Sequence, residues 1–522
     1  MRLPPPLLLL LAVFLSLLLP GCEPKEDVLG STGQLAFKAP YLKGNFVESR
    51  PDTVLFDTVF TSVGTVTKRL WVYNRNARAV RISQIALGEP ATSPYSLIIN
   101  GDEVNTAAGL ELRGQDSLLI LVKARLGPTS ANRPFLLTDE LKFTTNGHDQ
   151  TVKLVAYGQN AYFHTNQKLG CDEVWPADKP HVIVGVALVD SLCTLRIAPG
   201  ARIYAHAGAS LQVKGTLLVN EPADFSPTDT VKLTDRRIVR FLNDRREPEY
   251  ADVPGQWLGI VLGPGSHGSR LRYCEIKNSV FGVLLYNPAN RQPQPDLTLD
   301  NCVLRNITGA NVSAANPYAS TGAGVFSIAG QVAATNCLFT NCGQFAILGL
   351  GGTRCELNFC TVANYAPGSS RETASLTFTD ESLDEKKYPP APYSLTIRNS
   401  IIWGPTPAPG PNALEDELLL VHPEKSPPAL IEHTLLRSKL YAAASSTPDK
   451  PGFNLNGNLL NQDPKFRRSP ENYGGLTYDY RLDADSPARN QGQPTTPPVP
   501  RDLLNLARDV QKPDLGAFER KN

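Results

Sequence analysis

Apolar and polar residues alternate in short runs through the second half of the chain. Leu271, Cys274 and Ile276 are separated by arginine, tyrosine and glutamate, and a similar pattern begins again at Leu299. A period of two predicts β-strands with one buried face. A helix would need apolar residues three and four positions apart, which these runs do not provide. We therefore predict an all-β chain built from short strands.

A five-residue phrase, Cys-x-apolar-x-Asn, recurs within this pattern. Its copies begin 23 to 35 residues apart, and a degenerate fifth copy occupies residues 400–404. Repeats at such spacings predict a stacked architecture, because one short strand cannot bury its face alone. We expect the cysteines to pack as small buried hydrophobes and the asparagines to stack in an amide ladder. The predicted structural ladder consists of Cys274, Cys302, Cys337, Cys360, Asn278, Asn306, Asn341 and Asn364.

Segments upstream of the phrase extend the repeat. Residues 195–200, 202–204 and 209–217 are short runs of period two that are separated by glycine. The whole pattern resembles the right-handed parallel β-helix. The resemblance implies one solenoid over residues 161–445, with on the order of ten coils.

The first residues have the pattern of a targeting segment. Arg2 is the only charge before an apolar run at residues 7–19, which is too short to span a bilayer. The run ends in Gly21 and Cys22, and this junction resembles a bacterial lipobox. The resemblance implies a lipoprotein signal peptide at residues 1–21 and lipidation of Cys22, which would anchor the protein firmly. The alternative is an ordinary secreted signal peptide with an incidental cysteine.

A charged tether follows Cys22. Residues 23–27 read Glu-Pro-Lys-Glu-Asp, and this stretch resembles the surface-export signal of Bacteroidetes lipoproteins. The resemblance implies that residues 22–32 are the lipidated tether of an outer-membrane lipoprotein that faces the cell exterior. The alternative is a solvated, charged tether that is not an export signal.

The last part of the chain carries an ordered set of short motifs. They lie at residues 463–466, 480–482, 485–492, 508–509 and 513–519. The set is similar to the C-terminal module of the choice-of-anchor proteins, although Arg489 and Asn490 depart from its usual pattern. The resemblance implies a module over residues 446–522 that caps the open end of the solenoid and prevents edge-to-edge growth.

Residues 33–160 predict a separate β domain. Alternating runs such as residues 68–73 and 117–122 are separated by turn signals, including the Asn-Gly pairs at 100–101 and 146–147. Evenly spaced short strands argue for a sandwich, and their order resembles bacterial immunoglobulin-like spacer domains. That resemblance implies a stalk or a structural cap.

Composition narrows the classes of function. The formal net charge is +1, so the chain has no excess of basic residues and no nucleic-acid partner is predicted. Four cysteines lie outside the repeat phrase: Cys171, Cys193, Cys342 and Cys355. A disulfide between two of them is an alternative if the protein is exported. We expect mostly reduced, buried thiols. No cysteine or histidine spacing matches a zinc site, and no metal site or cofactor is predicted.

Outward positions of the repeat offer one candidate for chemistry. Lys277 and Arg305 should lie side by side with Glu275 below them, and together they would line a groove for an acidic sugar. The stripe becomes apolar after two coils, and a Ca²⁺ site needs several oxygen ligands. A solvated face is the alternative. No catalytic residue set is predicted.

Insertions between the strands offer a second candidate. Tyr286, Arg291 and Tyr318 have the character of glycan contacts, and loops on a rigid scaffold commonly carry binding function. The loop at residues 380–387 would supply carboxylates for Ca²⁺, but it lacks the spacing of an EF-hand, so a surface loop is the alternative. The predicted glycan-binding residues are Lys277, Arg305, Tyr286, Arg291 and Tyr318.

The sequence leaves three functions open. The leading hypothesis is a non-catalytic binding or adhesion module for an extracellular glycan or another cell, because no recognisable catalytic set is present. The alternative is a polysaccharide lyase or glycoside hydrolase on the β-helix, which would need carboxylates and bases facing outward on adjacent coils. The third is a structural surface spacer. The predicted partners are the outer membrane, through the N-terminal lipid, and an extracellular polysaccharide or surface protein.

Overall fold

The computed structural model divides the chain into two compact units, Met1–Gln159 and Asn160–Asn522. It describes residues 33–43, 46–60, 67–125, 135–226, 228–307, 322–366, 371, 373–406, 414–475 and 477–521. The described residues form strands, turns and three single-turn 3-10 helices, Pro222–Asp224, Pro248–Tyr250 and Pro423–Lys425. None of them forms a helix long and apolar enough to cross a bilayer. The all-β prediction is confirmed.

The first unit contains eleven strands among its described residues. They are β1 (Leu35–Lys43), β2 (Phe46–Arg50), β3 (Thr53–Phe60), β4 (Lys68–Asn74), β5 (Val80–Leu87), β6 (Tyr95–Ile99), β7 (Asp102–Val104), β8 (Thr106–Leu112), β9 (Ser117–Ala124), β10 (Phe135–Thr145) and β11 (His148–Gln159). One sheet has the order β2-β1-β4-β9-β6-β7 and the other β3-β11-β10-β5-β8.

These two sheets share one apolar core. Alternate residues such as Leu70 in β4 and Ile82 in β5 are fully buried, as the period of two predicts. The ring centroids of Phe37 from one sheet and Phe143 from the other lie 4.8 Å apart. The unit is therefore a two-sheet sandwich, in which β3 and β11 form a parallel pair.

The second unit contains the remaining strands of the described chain. They are β12 (Tyr162–Lys168), β13 (Glu173–Trp175), β14 (His181–Val189), β15 (Thr194–Ile197), β16 (Arg202–Ala205), β17 (Ser210–Val213), β18 (Thr216–Val219), β19 (Val239–Asn243), β20 (Gly259–Leu262), β21 (Ser269–Arg272), β22 (Cys274–Lys277), β23 (Phe281–Tyr286), β24 (Asp296–Asp300), β25 (Val303–Ile307), β26 (Ala323–Ile328), β27 (Gln331–Thr335), β28 (Leu338–Cys342), β29 (Phe345–Leu350), β30 (Arg354–Asn358), β31 (Thr361–Ala363), β32 (Leu376–Phe378), β33 (Ser394–Arg398), β34 (Ile401–Trp403), β35 (Leu418–Leu420), β36 (Leu430–Glu432), β37 (Leu435–Leu436), β38 (Leu459–Leu460), β39 (Phe466–Arg468) and β40 (Asp479–Leu482).

Parallel pairing arranges these strands in three ladders that run along a solenoid. Ladder 1 is a nine-stranded sheet, β13-β15-β18-β21-β24-β27-β30-β33-β36. An 18-stranded sheet contains the other two. Ladder 2 runs β16-β19-β22-β25-β28-β31-β34-β37, and ladder 3 runs β17-β20-β23-β26-β29-β32-β35. Each full coil contributes one strand to each ladder, so the stacked parallel architecture predicted from the repeat is confirmed.

A sharp turn joins ladder 1 to ladder 2 in each central coil. One residue in left-handed conformation makes the turn, as at Asn301 (φ 55°), Asn336 (φ 53°) and Asn399 (φ 52°). Asparagine tolerates this conformation better than most residues, because its short side chain bonds locally. The interior behind the turn is apolar and closely packed, with residues such as Leu304 and Phe339 fully buried.

The C-terminal module does not lie mainly at the open end of the solenoid, where the sequence predicted a cap. Phe453 of the module does pack in the interior of the last coil, against Tyr441. Most of the module instead packs along the outside of ladder 2. There an apolar stripe lies under side chains from residues 466–518. The stripe consists of Val303, Leu338, Ile401, Trp403 and Leu435. Burial of this stripe explains the sideways position, because a large exposed apolar patch is unfavourable in water.

Short motifs of the module fit the solenoid closely. The backbone N–H groups of Gly516 and Ala517 donate to the Asn399 carbonyl at 2.7 Å and to Thr361 Oγ1 at 2.9 Å. Gly516 has φ 86°, and a Cβ there would lie 2.5 Å from Thr361 Oγ1. Turn asparagines Asn301 and Asn336 donate to module carbonyls, both at 2.7 Å. The glycine and the turn asparagines therefore serve the docking of the module.

Candidate functional site

The repeated cysteines form an interior column. Cys302 Sγ lies 3.2 Å from the Leu271 carbonyl of the preceding coil, and Cys337 repeats the contact with Leu299 at 3.4 Å. Burial raises the pKa of both thiols well above the ordinary value. Since the thiolate is the reactive form, this column is packing rather than a nucleophile. Cys274, Cys302, Cys337, Cys342, Cys355 and Cys360 are free and buried.

One disulfide lies in the first coils of the solenoid. It joins Cys171 to Cys193, whose Cα atoms are 4.6 Å apart. The sequence analysis allowed a disulfide but favoured reduced thiols, because the spacing of cysteines along the chain does not show which of them are neighbours in the fold. Disulfides persist mainly in oxidising compartments.

The asparagines after ladder 2 form an amide ladder. Asn278 donates to Asn243 at 2.8 Å, Asn306 to Asn278 at 3.4 Å and Asn341 to Asn306 at 3.3 Å. Asn364 lies outside this chain of amides and accepts from the Cys342 backbone N–H at 2.8 Å. The ladder satisfies buried polar groups that would otherwise destabilise the fold.

We expect Asn306→Ala to lower the free energy of unfolding of the solenoid by about 2 kcal/mol. Lost hydrogen bonds to Asp252 and Asn341 account for about 1 kcal/mol. The left-handed backbone, with φ 55°, adds about 1 kcal/mol for alanine. Urea denaturation measures the loss. Asn306→Gly avoids the backbone cost and should lose about half as much, so equal losses would contradict the backbone contribution.

The outer surface of ladder 2 is charged in its early coils. Arg202 of β16 aligns with Arg240 of β19, which aligns with Glu275 of β22. Two residues further along each strand, Tyr204 and Lys277 point to the same side. We name as the charged face Arg202, Tyr204, Arg240, Glu275, Lys277 and Arg305.

The two cations predicted to bind an acidic sugar are neighbours on this face, but both are ion-paired. Arg305 Nε lies 2.7 Å from Glu275, and Lys277 Nζ lies 2.8 Å from Asp252. Arg240 takes the second oxygen of Glu275 at 3.0 Å. These carboxylates occupy the donors that an acidic sugar would need. The repeat pattern does not predict the Asp252 contact, because Asp252 lies in a loop outside the repeat.

Burial and charge set the protonation of this network. Burial and the Arg305 charge lower the pKa of Lys277. Burial opposes ionisation of Glu275, but Arg305 and Arg240 hold the pKa of that carboxyl below its usual value. Lys277 is only 11% exposed in its side chain. The network is therefore a compact structural cluster of paired charges.

The predicted loop residues Tyr286 and Arg291 lie on a well-ordered turn. Buried Asn287 accepts from the Arg291 backbone N–H at 3.0 Å and donates to the Arg291 carbonyl at 3.0 Å. Gln294 donates to Asn290 and to the Gly352 carbonyl, both at 2.8 Å. These bonds hold the loop against the next coils while the Arg291 side chain is exposed.

The loop at residues 380–387 lies beside this turn. Leu383 of this loop and Tyr286 pack against the same apolar cluster, and the Lys387 ammonium is 5.2 Å from the centre of the Tyr388 ring. Asp380 of the same loop is buried and pairs with His422 Nδ1 at 2.8 Å. Tyr318, the third predicted contact, and Cys22 lie outside the described residues. The described residues contain no group of three His, Cys, Asp or Glu side chains suited to a metal ion.

Two features of the charged face escaped the sequence reasoning. Arg246 places its guanidinium 4.7 Å from the centre of the Tyr204 ring. His206 Nδ1 lies 2.6 Å from Asp244, its equivalent in the next coil. Alternation along β16 would have put Arg202, Tyr204 and His206 on one face, but the long insertion before β19 obscured the register.

Comparisons with known proteins do not assign the chain to a family. No protein-family model and no curated protein matches the chain. A family 123 glycoside hydrolase from Clostridium perfringens is 8% identical, with 22% of this chain and 26% of that chain covered and a TM-score of 0.17. A Yersinia enterocolitica family 28 exopolygalacturonase is 10% identical, with coverage of 76% and 94% and a TM-score of 0.17. The catalytic unit of a GH87 α-1,3-glucanase from Streptomyces thermodiastaticus is 8% identical, with coverage of 70% and 91% and a TM-score of 0.16. At such TM-scores these likenesses carry no argument about activity.

Proposed function

We propose that this protein is a non-catalytic glycan-binding module on the bacterial surface. The ordered turn at residues 287–294 is the observation that carries the proposal. It presents the exposed Arg291 just after the half-buried Tyr286, and the loop at residues 380–387 packs Leu383 against the apolar cluster that Tyr286 also contacts. Aromatic and arginine side chains held on a rigid scaffold lose little entropy on binding.

The finer assignments belong to the same proposal. The solenoid is a right-handed β-helix, and the sandwich is an immunoglobulin-like spacer. The C-terminal module is of the choice-of-anchor type, which the roles of Gly516 and the neighbouring motifs support. Lipidated Cys22 holds the protein on the outer membrane, facing outward. The disulfide between Cys171 and Cys193 supports an exported location.

A glycan array with the full chain in detergent tests this function, with mass spectrometry of every bound glycan. We expect binding with intact product, and the double variant Tyr286→Ala/Arg291→Ala should bind at least about tenfold more weakly. Arg354→Ala is the matched control, because Arg354 is exposed on ladder 1. Undiminished binding by the double variant would contradict this site.

A polysaccharide lyase or glycoside hydrolase is the second candidate. One observation favours it: Asp244 holds the imidazole of His206 through Nδ1, two residues after Tyr204, on which Arg246 stacks. A base oriented by a carboxylate is the arrangement that proton abstraction needs. Shortened or unsaturated products on the array would replace the binding proposal with this one. Absence of binding to any glycan would leave a structural spacer.

A further inference from the structure

Arg202 of the charged face and Arg246, which stacks on Tyr204, take no part in the ion pairs of this face. Glu275 and Asp252 neutralise the cations of the later coils, as described above. In the part of the chain that the structure describes, the guanidinium groups of Arg202 and Arg246 make neither an ion pair nor a hydrogen bond. Arg246 is exposed and Arg202 is half-buried, so both are accessible to a ligand.

Stacking fixes the direction of the Arg246 side chain, and strand alternation gives the side on which Arg202 lies. Arg246 stacks over Tyr204, which is only 4% exposed and therefore gives it a rigid base. Arg202 lies two residues before Tyr204 on the same side of β16, and its Cα pairs with Arg240 of the next coil. A guanidinium held in place by stacking loses less conformational entropy when it binds an anion.

His206 follows Arg202 and Tyr204 at the next alternate position along the chain. Asp244, whose side chain is 8% exposed, engages Nδ1, while the imidazole is 47% exposed. Nε2 is thus the ring nitrogen available to a ligand hydroxyl. Glu249, in the 3-10 helix of the same loop, is an exposed carboxylate and would oppose a bound anion.

We propose that Arg202, Arg246 and His206 bind an acidic polysaccharide. The guanidinium forks take a carboxylate or sulfate of the polymer, and the imidazole takes a neighbouring hydroxyl. The proposal rests on the glycan-binding function above and adds the class of the glycan, at a site on a different ladder from Tyr286.

Affinity measurements with the full chain in detergent test the site. The probes are polygalacturonate for carboxylate, dextran sulfate for sulfate, and dextran as the neutral polymer. We expect the double variant Arg202→Gln/Arg246→Gln to bind one acidic polymer at least about tenfold more weakly and to lose part of the salt dependence. Dextran binding should not change. Arg354→Gln, an exposed arginine of ladder 1, is the matched control.

The outcomes separate this site from the general function. Wild-type affinity in the double variant would overturn the site even if glycans bind through Tyr286 and Arg291. Preference for dextran over both acidic polymers would overturn the acidic class but leave the proposed function standing. Equal capture of a random DNA duplex would show charge attraction alone and would also overturn the proposal. Circular dichroism of each variant verifies that the fold is kept.

Discussion

Arg508→Ala should release the C-terminal module from the solenoid and cost about 3 to 5 kcal/mol. Arg508 is 2% exposed in its side chain, and its guanidinium lies 4.1 Å from the centre of the Phe359 ring. It donates to Asn336 Oδ1 at 2.7 Å, to the Gly516 carbonyl at 2.9 Å and to Glu519 at 3.3 Å. Without the arginine, the buried Glu519 carboxylate would lack its only cation among the described residues. Limited proteolysis and thermal unfolding measure the release.

A double variant separates charge burial from lost packing. Glu519→Gln in the Arg508→Met background removes both charges, so it should recover part of the stability that Arg508→Ala loses. Arg508→Lys keeps the charge but not the planar fork, and we expect an intermediate loss. Protease resistance of residues 463–521 in Arg508→Ala, equal to that of the wild type, would contradict the role of this arginine.

The strands and coils of the solenoid were predictable because their cause is local. Alternating apolar residues specify a strand, and the asparagines that close the repeat phrase, such as Asn278 and Asn306, specify the bend after it. The same locality holds for Cys302 and Cys337, whose spacing matches one coil. Each coil repeats the same local sequence pattern, so the repeated phrase is enough to predict the stacked coils.

Contacts between distant segments were not predictable in the same way. Lys277 and Arg305 looked available because their neighbours in the repeat are known, while Asp252 comes from an insertion with no fixed register. The apolar outer positions Val303 and Leu338 were visible in the sequence. They counted against a polar groove there, but the residues that cover them lie more than a hundred positions further along the chain. Non-local docking therefore needs the structure.

Acid should loosen the first coil of the solenoid, because two histidines are buried there in neutral form. His164 Nε2 lies 3.0 Å from His181 Nδ1, and His181 Nε2 lies 3.0 Å from the Pro176 carbonyl. Trp175 stacks on both rings, at 4.4 and 4.6 Å. Burial lowers the pKa of His181 to about 4, although the Pro176 carbonyl and Asp178 oppose the shift. Burial also lowers the pKa of His164.

The sign follows from proton binding. Between pH 6.5 and pH 4 the unfolded chain binds more protons at His181 than the folded chain does, so stability falls as the pH falls. The loss from His181 alone should be about 2 kcal/mol between pH 7 and pH 5 and about 3 kcal/mol by pH 4. Hydrogen exchange of β12 and β14, corrected for the intrinsic effect of pH, measures it locally.

A matched variant assigns this acid sensitivity to the histidine pair. His164→Gln/His181→Gln carries no titrating ring, so its first coil should show little change in protection between pH 7 and pH 5. The charged neighbours Glu173, Asp178 and Lys179 remain in the variant, so the comparison isolates the two imidazoles. An equal loss of protection in the variant and the wild type would mean that other groups cause the acid response. A loss confined to the wild type would make the histidine pair the group that sets the lower pH limit of the solenoid.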